Sequence, residues 1–207
     1  MTWYYWLALA SLAICVGSLL FHTIRLIKLG KPKDYSNPIG KPSAAIPYSF
    51  TGAMSPAKKE SAYLHMPTYT AGILYHLGTF LSIFIFLIML LQIPITGLAS
   101  WIIFGFLMIT GVSGLGILIK RMVKPQMRAL SNPDDYISNL LVTIFQFITA
   151  LALIESTIIP LYFIVASLLL LYVPLSKLKH TIYFFAARYH LGYFFGWRNV
   201  WPPKQTR

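Results

Sequence analysis

The chain has 207 residues, a formal net charge of +12, 57% hydrophobic side chains and only 11% charged ones. A soluble domain carries roughly 25% charged residues, so a water-exposed globular surface is excluded. The single cysteine, Cys15, also excludes a disulfide framework, a zinc knuckle, a cysteine-ligated iron–sulfur motif and covalent haem attachment through Cys-x-x-Cys-His.

Apolar blocks longer than ~18 residues read as membrane-spanning helices. Five of them predict an all-α bundle of five transmembrane helices in a single membrane domain over residues 1–207. The spans fall at about 3–25, 68–93, 100–119, 138–156 and 160–183. The segment Met1–Leu20 lacks a basic start, and bases follow its apolar run, so it reads as an uncleaved first helix rather than a signal peptide. Trp3, Tyr4, Tyr5 and Trp6 fit an aromatic belt at the outer interface. A polar loop with Gly30, Pro32, Pro38, Gly40, Pro42 and Pro47 separates the first two spans. The link from Pro94 to Ser100 is short and uncharged, and the link from Ser156 to Pro160 is short and sits beside Glu155.

The bases set the expected topology. The first loop holds Arg25, Lys28, Lys31, Lys33, Lys41, Lys58 and Lys59. The third link holds Lys120, Arg121, Lys124 and Arg128, and the C-terminal region holds Lys177, Lys179, Arg188, Arg198, Lys204 and Arg207. These are all 17 Lys and Arg residues, and a five-span chain puts every one on the same side. Positive charge stays cytoplasmic, so the N-terminus is expected outside and the C-terminus in the cytoplasm, across a cell inner or plasma membrane. The same pattern explains the basic charge without nucleic acid.

Four histidines carry the chemical signal, because an ionisable group in a membrane helix is costly and points to function. His65 and His76 flank the start of span two, and His180 and His190 lie at and beyond the end of span five. Eleven helical residues turn through about 1100° and rise ~16 Å, so an unbroken helix past Pro67 would put His65 and His76 on one face. Ten residues rise ~15 Å and end about 80° out of register. The two spans run in opposite directions, which matches His76 with His180 deeper in the membrane and His65 with His190 nearer the cytoplasm. Two imidazole pairs at matching depths suit two haems held in a bundle interior. The blander alternative, interfacial histidines with no ligand, applies most to His65 and His190. His22 beside Arg25 suits a solvated or headgroup role and is the substitute for His65. Gly72 and Gly78 bracket His76, and Gly105, Gly111, Gly114 and Gly116 punctuate span three. They suit close approach either of another helix or of a flat macrocycle.

Tyr75-His76-Leu77-Gly78 resembles the haem-ligand segment in helix two of the gamma subunit of respiratory nitrate reductase. Pro174-Leu175-Ser176-Lys177-Leu178-Lys179-His180 resembles the helix-five segment that ends in a haem-ligand histidine. The stretch from Arg128 to Tyr136, and Gly192-Tyr193-Phe194-Phe195-Gly196 with Trp197 and Arg198, are similar to the related membrane subunits of heterodisulfide-reductase-like and sulfite-reductase-associated complexes. The resemblance covers about 65–200. It implies a five-helix, di-haem b-type cytochrome that oxidises a quinol and passes electrons to a cytoplasmic iron–sulfur partner. Its carry-over is to His76 and His180. The gamma subunit has a further helix-two ligand beyond the position of His76, where this chain has Ile85-Phe86-Leu87, so His65 is the candidate in its place.

On this reading the chain is a quinol-linked electron-transfer subunit with haem b as cofactor and quinol as substrate, and the terminal chemistry belongs to the partner. Glu155, the acidic residue expected on the outer side, is the candidate proton acceptor, with a carboxyl pKa raised by partial burial; a solvated loop carboxylate is the alternative. Arg188, Arg198 and the link from Lys120 to Tyr136 are the candidate docking surface, with lipid contact as the alternative. A haem-free structural anchor is the other reading of the whole chain, and a small transporter a third.

Overall fold

A run of 26 residues from Trp3 to Lys28 contains no proline, and it forms the first helix, α1 (Trp3–Lys28). Arg25 and Lys28 lie in its last turn, where cations meet the negative end of the helix dipole. Among the residues described by this computed structural model (2–30, 33–58, 62 and 64–203), every regular element is a helix. Lys31, Pro32, Lys59, Lys204 and Arg207 lie outside the described residues.

After α1 come α2 (Pro42–Phe50), α3 (Met66–Leu90), α4 (Leu98–Val123), α5 (Pro125–Ala129), α6 (Pro133–Ala152), α7 (Ile159–Tyr172) and α8 (His180–Trp197). Their starts follow local chemistry. Gly97 takes φ 69° just before α4, a left-handed conformation open to glycine, and accepts a hydrogen bond from Ser100 Oγ at 2.7 Å. A capping box begins α6: Asn132 Oδ1 accepts from the Asp135 N–H at 3.1 Å, and Asp135 Oδ2 accepts from the Asn132 N–H at 2.8 Å.

Among the described residues four helices, α1, α3, α4 and α6, are long and apolar enough to cross a membrane. A fifth crossing is obtained when Ser156–Tyr172 and Lys177–Trp197 are taken together as one broken span. The fifth segment was expected as one helix over 160–183, and here the structure differs. α7 stops at Tyr172, Val173 is its C-cap, and Pro174 follows. Proline disfavours helical backbone in the residue before it and has no N–H for the ladder, so the apolar run breaks there. The first loop also gains an element, α2, that its proline content did not suggest.

The chain forms two compact units: Met1–Ser18 with Pro67–Leu178, and Leu19–Met66 with Lys179–Arg207. The core of the first unit gathers Phe86 of α3, Val142 and Phe145 of α6, and Tyr162, Phe163 and Leu169 of α7. Tyr162 stacks on Phe145 with ring centres 6.0 Å apart, and Tyr4 and Tyr5 pack on Phe163 at 5.7 and 4.5 Å. One end of α6 is held by charge. Arg121 and Lys177 pair with Asp135, and Asp134 accepts from the Tyr172 hydroxyl and from the Lys177 N–H.

In the second unit α2 lies along α8. A Cβ on Gly192 would stand 2.6 Å from Ile46 Cα, and one on Gly196 would stand 2.6 Å from Ala45 Cβ. Small residues let the two backbones close up, the device that membrane helices use in place of a hydrophobic driving force. Ser49 Oγ donates to the Arg188 carbonyl at 2.7 Å, the Arg188 guanidinium donates to the Ser49 carbonyl, and Arg198 pairs with Asp34 at 2.6 Å.

Candidate functional site

His76 sits in the first half of α3 on its exposed flank. Its Nδ1 lies 2.7 Å from the Gly72 carbonyl oxygen. A carbonyl can only accept, so Nδ1 carries the proton in the neutral ring and the lone pair stays on Nε2. Nε2 is the nitrogen such a ring could offer to a metal, since a metal-ligating histidine normally commits its second nitrogen to an acceptor of this kind. Tyr75 and Phe80 place aromatic rings 6.2 and 6.4 Å from the imidazole.

His190 belongs to α8 and opens into a groove of about 570 Å³. Thr23, Leu26 and Ile27 of α1 form one wall, and Ile182, Phe185 and Tyr189 of α8 form much of the other. A largely apolar cleft of this size with a few polar groups is the usual form of a cofactor or ligand site.

The remaining histidines are distributed as follows. His180 is the first residue of α8, and it is exposed. His22 lies in α1 with Nδ1 3.3 Å from the Tyr183 hydroxyl. His65 is exposed and precedes the first residue of α3, Met66. The unbroken helix expected to put His65 and His76 on one face is therefore absent: Pro67 occupies the first turn, where its missing N–H does no harm, and the helix begins there. His76 belongs to the first unit, and His22, His65, His180 and His190 to the second. Among the described residues no group of three or more His, Cys, Asp or Glu converges as a metal site.

Glu155 departs from its expected chemistry. It caps a 3-10 turn, Ser156–Ile158, and its Oε1 accepts from the Thr157 N–H at 3.1 Å and from Thr157 Oγ1 at 2.9 Å. These bonds hold its carboxyl below the usual glutamate range, whereas burial was expected to raise it. The candidate docking bases also divide. Arg188 and Arg198 are spent on Ser49 and Asp34 within the chain, whereas Lys124 and Arg128 are exposed.

Sequence reasoning missed a polar cluster behind His76. Gln146 of α6, fully buried, donates from Nε2 to the Tyr75 carbonyl at 3.0 Å and to Thr79 Oγ1 at 2.9 Å, and its Oε1 accepts from Thr110 Oγ1 at 2.8 Å. The Tyr75 hydroxyl donates to the Asn139 carbonyl at 2.9 Å. The available signal was the spacing of Asn139, Thr143 and Gln146, which share one face of α6. The glycines divide as well: Gly78, Gly111 and Gly114 meet Gln146, Phe147 and Tyr75, while Gly72, Gly105 and Gly116 face open space.

Fold and site together give an all-helical chain whose described residues include several helices long and apolar enough to span a membrane, consistent with a multi-pass membrane protein, with an exposed histidine on one of them. Comparison of the chain with protein families, curated proteins and solved structures finds no match.

Proposed function

We propose that this chain is a b-type cytochrome subunit of a quinol-linked respiratory oxidoreductase, similar to the gamma subunit of respiratory nitrate reductase. It acts in a cell inner or plasma membrane with its N-terminus outside. The observation that carries the reading is His76: an imidazole on an apolar helix, its Nδ1 committed to the Gly72 carbonyl and its Nε2 open. An imidazole facing hydrocarbon with no task is a cost without return, and ligation removes that cost. His180 is the proposed mate of His76. His190, in its apolar groove, and His65 are the proposed second pair, with His22 as the substitute for His65.

Haem b, when bound, supplies one-electron redox chemistry between a two-electron quinol and an iron–sulfur centre. The chain's own work is to present neutral imidazoles, keep water from the site with aromatic and aliphatic side chains, and hold the helices in register. A partner with iron–sulfur clusters docks on the cytoplasmic face, where Lys124 and Arg128 are exposed beside α5. Glu155 remains the candidate proton acceptor on the outer side, now as an exposed carboxylate that Thr157 holds below the usual glutamate range rather than as a buried one.

The test is the haem content of purified single variants. His76→Ala and His180→Ala each lose the same haem, and His65→Ala and His190→Ala lose the other. Wild-type haem content in both His76→Ala and His180→Ala would contradict the ligand assignment.

A further inference from the structure

The turn of α3 that carries His76 is held from behind with unusual completeness. Tyr75, Gly78 and Thr79 all face the packed side. The Tyr75 ring fills the space at Gly114, where a Cβ would stand 2.5 Å from Tyr75 Cδ2. Its hydroxyl reaches α6 twice, donating to the Asn139 carbonyl at 2.9 Å and accepting from Thr143 Oγ1 at 3.2 Å. Gly78 is buried, and a Cβ there would stand 2.6 Å from Gln146 Oε1 and closer still to Thr110. Gln146 then ties the Tyr75 carbonyl and Thr79 to the Thr110 hydroxyl of α4. At about 100° per residue, His76 lies about 100° around the helix from Tyr75 and about 160° from Gly78. Fixing the packed face therefore fixes where the imidazole points.

We infer that Gln146 is a positioning residue: it sets the rotation and depth of the α3 turn 75–79, and so the direction in which His76 Nε2 is presented to its ligand. This rests on the proposal that His76 binds haem, but its mechanical part does not need haem. A purely architectural amide would be one whose loss leaves polar partners stranded, and that is not the case here. Thr110 Oγ1 also donates to the Leu107 carbonyl at 3.1 Å, and Thr79 Oγ1 also donates to the Tyr75 carbonyl at 2.8 Å. Both hydroxyls stay satisfied when the amide is replaced by a leucine of similar volume, and the bundle has no new unpaired donor to punish it. What Gln146→Leu removes is the directional link between α3, α4 and α6.

Two measurements test this. In the holoprotein, Gln146→Leu retains haem but shifts the low-spin ferric EPR g values, which follow the orientation of the axial imidazoles. Gln146→Glu, protonated in the apolar interior, restores one donor and one acceptor and moves them back toward wild type. In the haem-free arm, nitroxides at His76→Cys and Leu140→Cys, in a Cys15→Ser background, report the placement of α3 against α6. Their distance distribution shifts and broadens with Gln146→Leu. Unchanged g values together with an unchanged distance, in folded Gln146→Leu, would overturn the inference. If wild-type protein holds no haem, the cytochrome proposal fails while the nitroxide distances still decide the role of Gln146: a shift supports it and no shift removes it.

Discussion

A neutral imidazole has one donor and one acceptor, and at His76 the donor is already spent on the Gly72 carbonyl. The remaining lone pair is why His76→Ala is expected to abolish one haem, read as loss of about half the reduced b-type absorbance in a two-haem protein. Full absorbance in that variant would leave His76 as an unexplained polar group on an apolar helix. The place of His76 within an apolar helix was legible from the sequence because an ionisable residue stands out in an apolar run. Gln146 was not, because a neutral amide among Thr and Asn reads as ordinary helix until α3 and α4 close around it. The direction of the Glu155 shift was misread for a related reason. Its pKa is set by two hydrogen bonds from Thr157 in a three-residue turn, and a count of apolar neighbours does not contain that turn.

At the scale of elements, α2 and α8 depend on close backbones. Gly192→Ala places a methyl against the Ile46 backbone, and overpacking of this kind costs about 1–3 kcal/mol. The expected outcome is a lower thermal midpoint in detergent together with faster proteolysis within 33–58. An unchanged midpoint would show that α2 yields without cost.

The segment before α2 is tied to α8 through Asp34, whose carboxyl is lowered to about 2 by hydrogen bonds from Ser36 and from Arg198. A depressed carboxyl contributes stability that is full above its unfolded value of about 3.9 and is lost as pH falls through about 2. Carbon-detected titration of the Asp34 carboxyl should give a midpoint near the lower value in wild type and move upward in Arg198→Gln. A wild-type midpoint near 3.9 would contradict the tie. The break between α7 and α8 had its signal in the sequence, since Pro174 follows a long Leu-rich run. Hydropathy averages over such a proline, whereas backbone sterics do not. The helix α2 lay hidden for the opposite reason. Its prolines sit at the first turn and at Pro47, and packing on α8 outweighs the poor intrinsic propensity of the segment.

For the whole molecule, the long apolar helices were legible because bilayer thickness leaves few alternatives for apolar runs of this length, whereas the fifth run proved to be a bent pair of helices. The partition of all 17 bases predicts that a reporter fused after Arg207 is cytoplasmic and one inserted between Pro94 and Ser100 is external. A cytoplasmic signal from the 94–100 link would overturn the five-span topology.

The proposed cytochrome is tested most directly by the haem content of the purified wild-type chain. The expected result is a dithionite-reduced minus oxidised spectrum with a b-type α band, and a pyridine haemochrome assay that returns haem b at one to two per chain. A folded, colourless preparation from haem-sufficient cells would contradict the cytochrome and leave a membrane anchor.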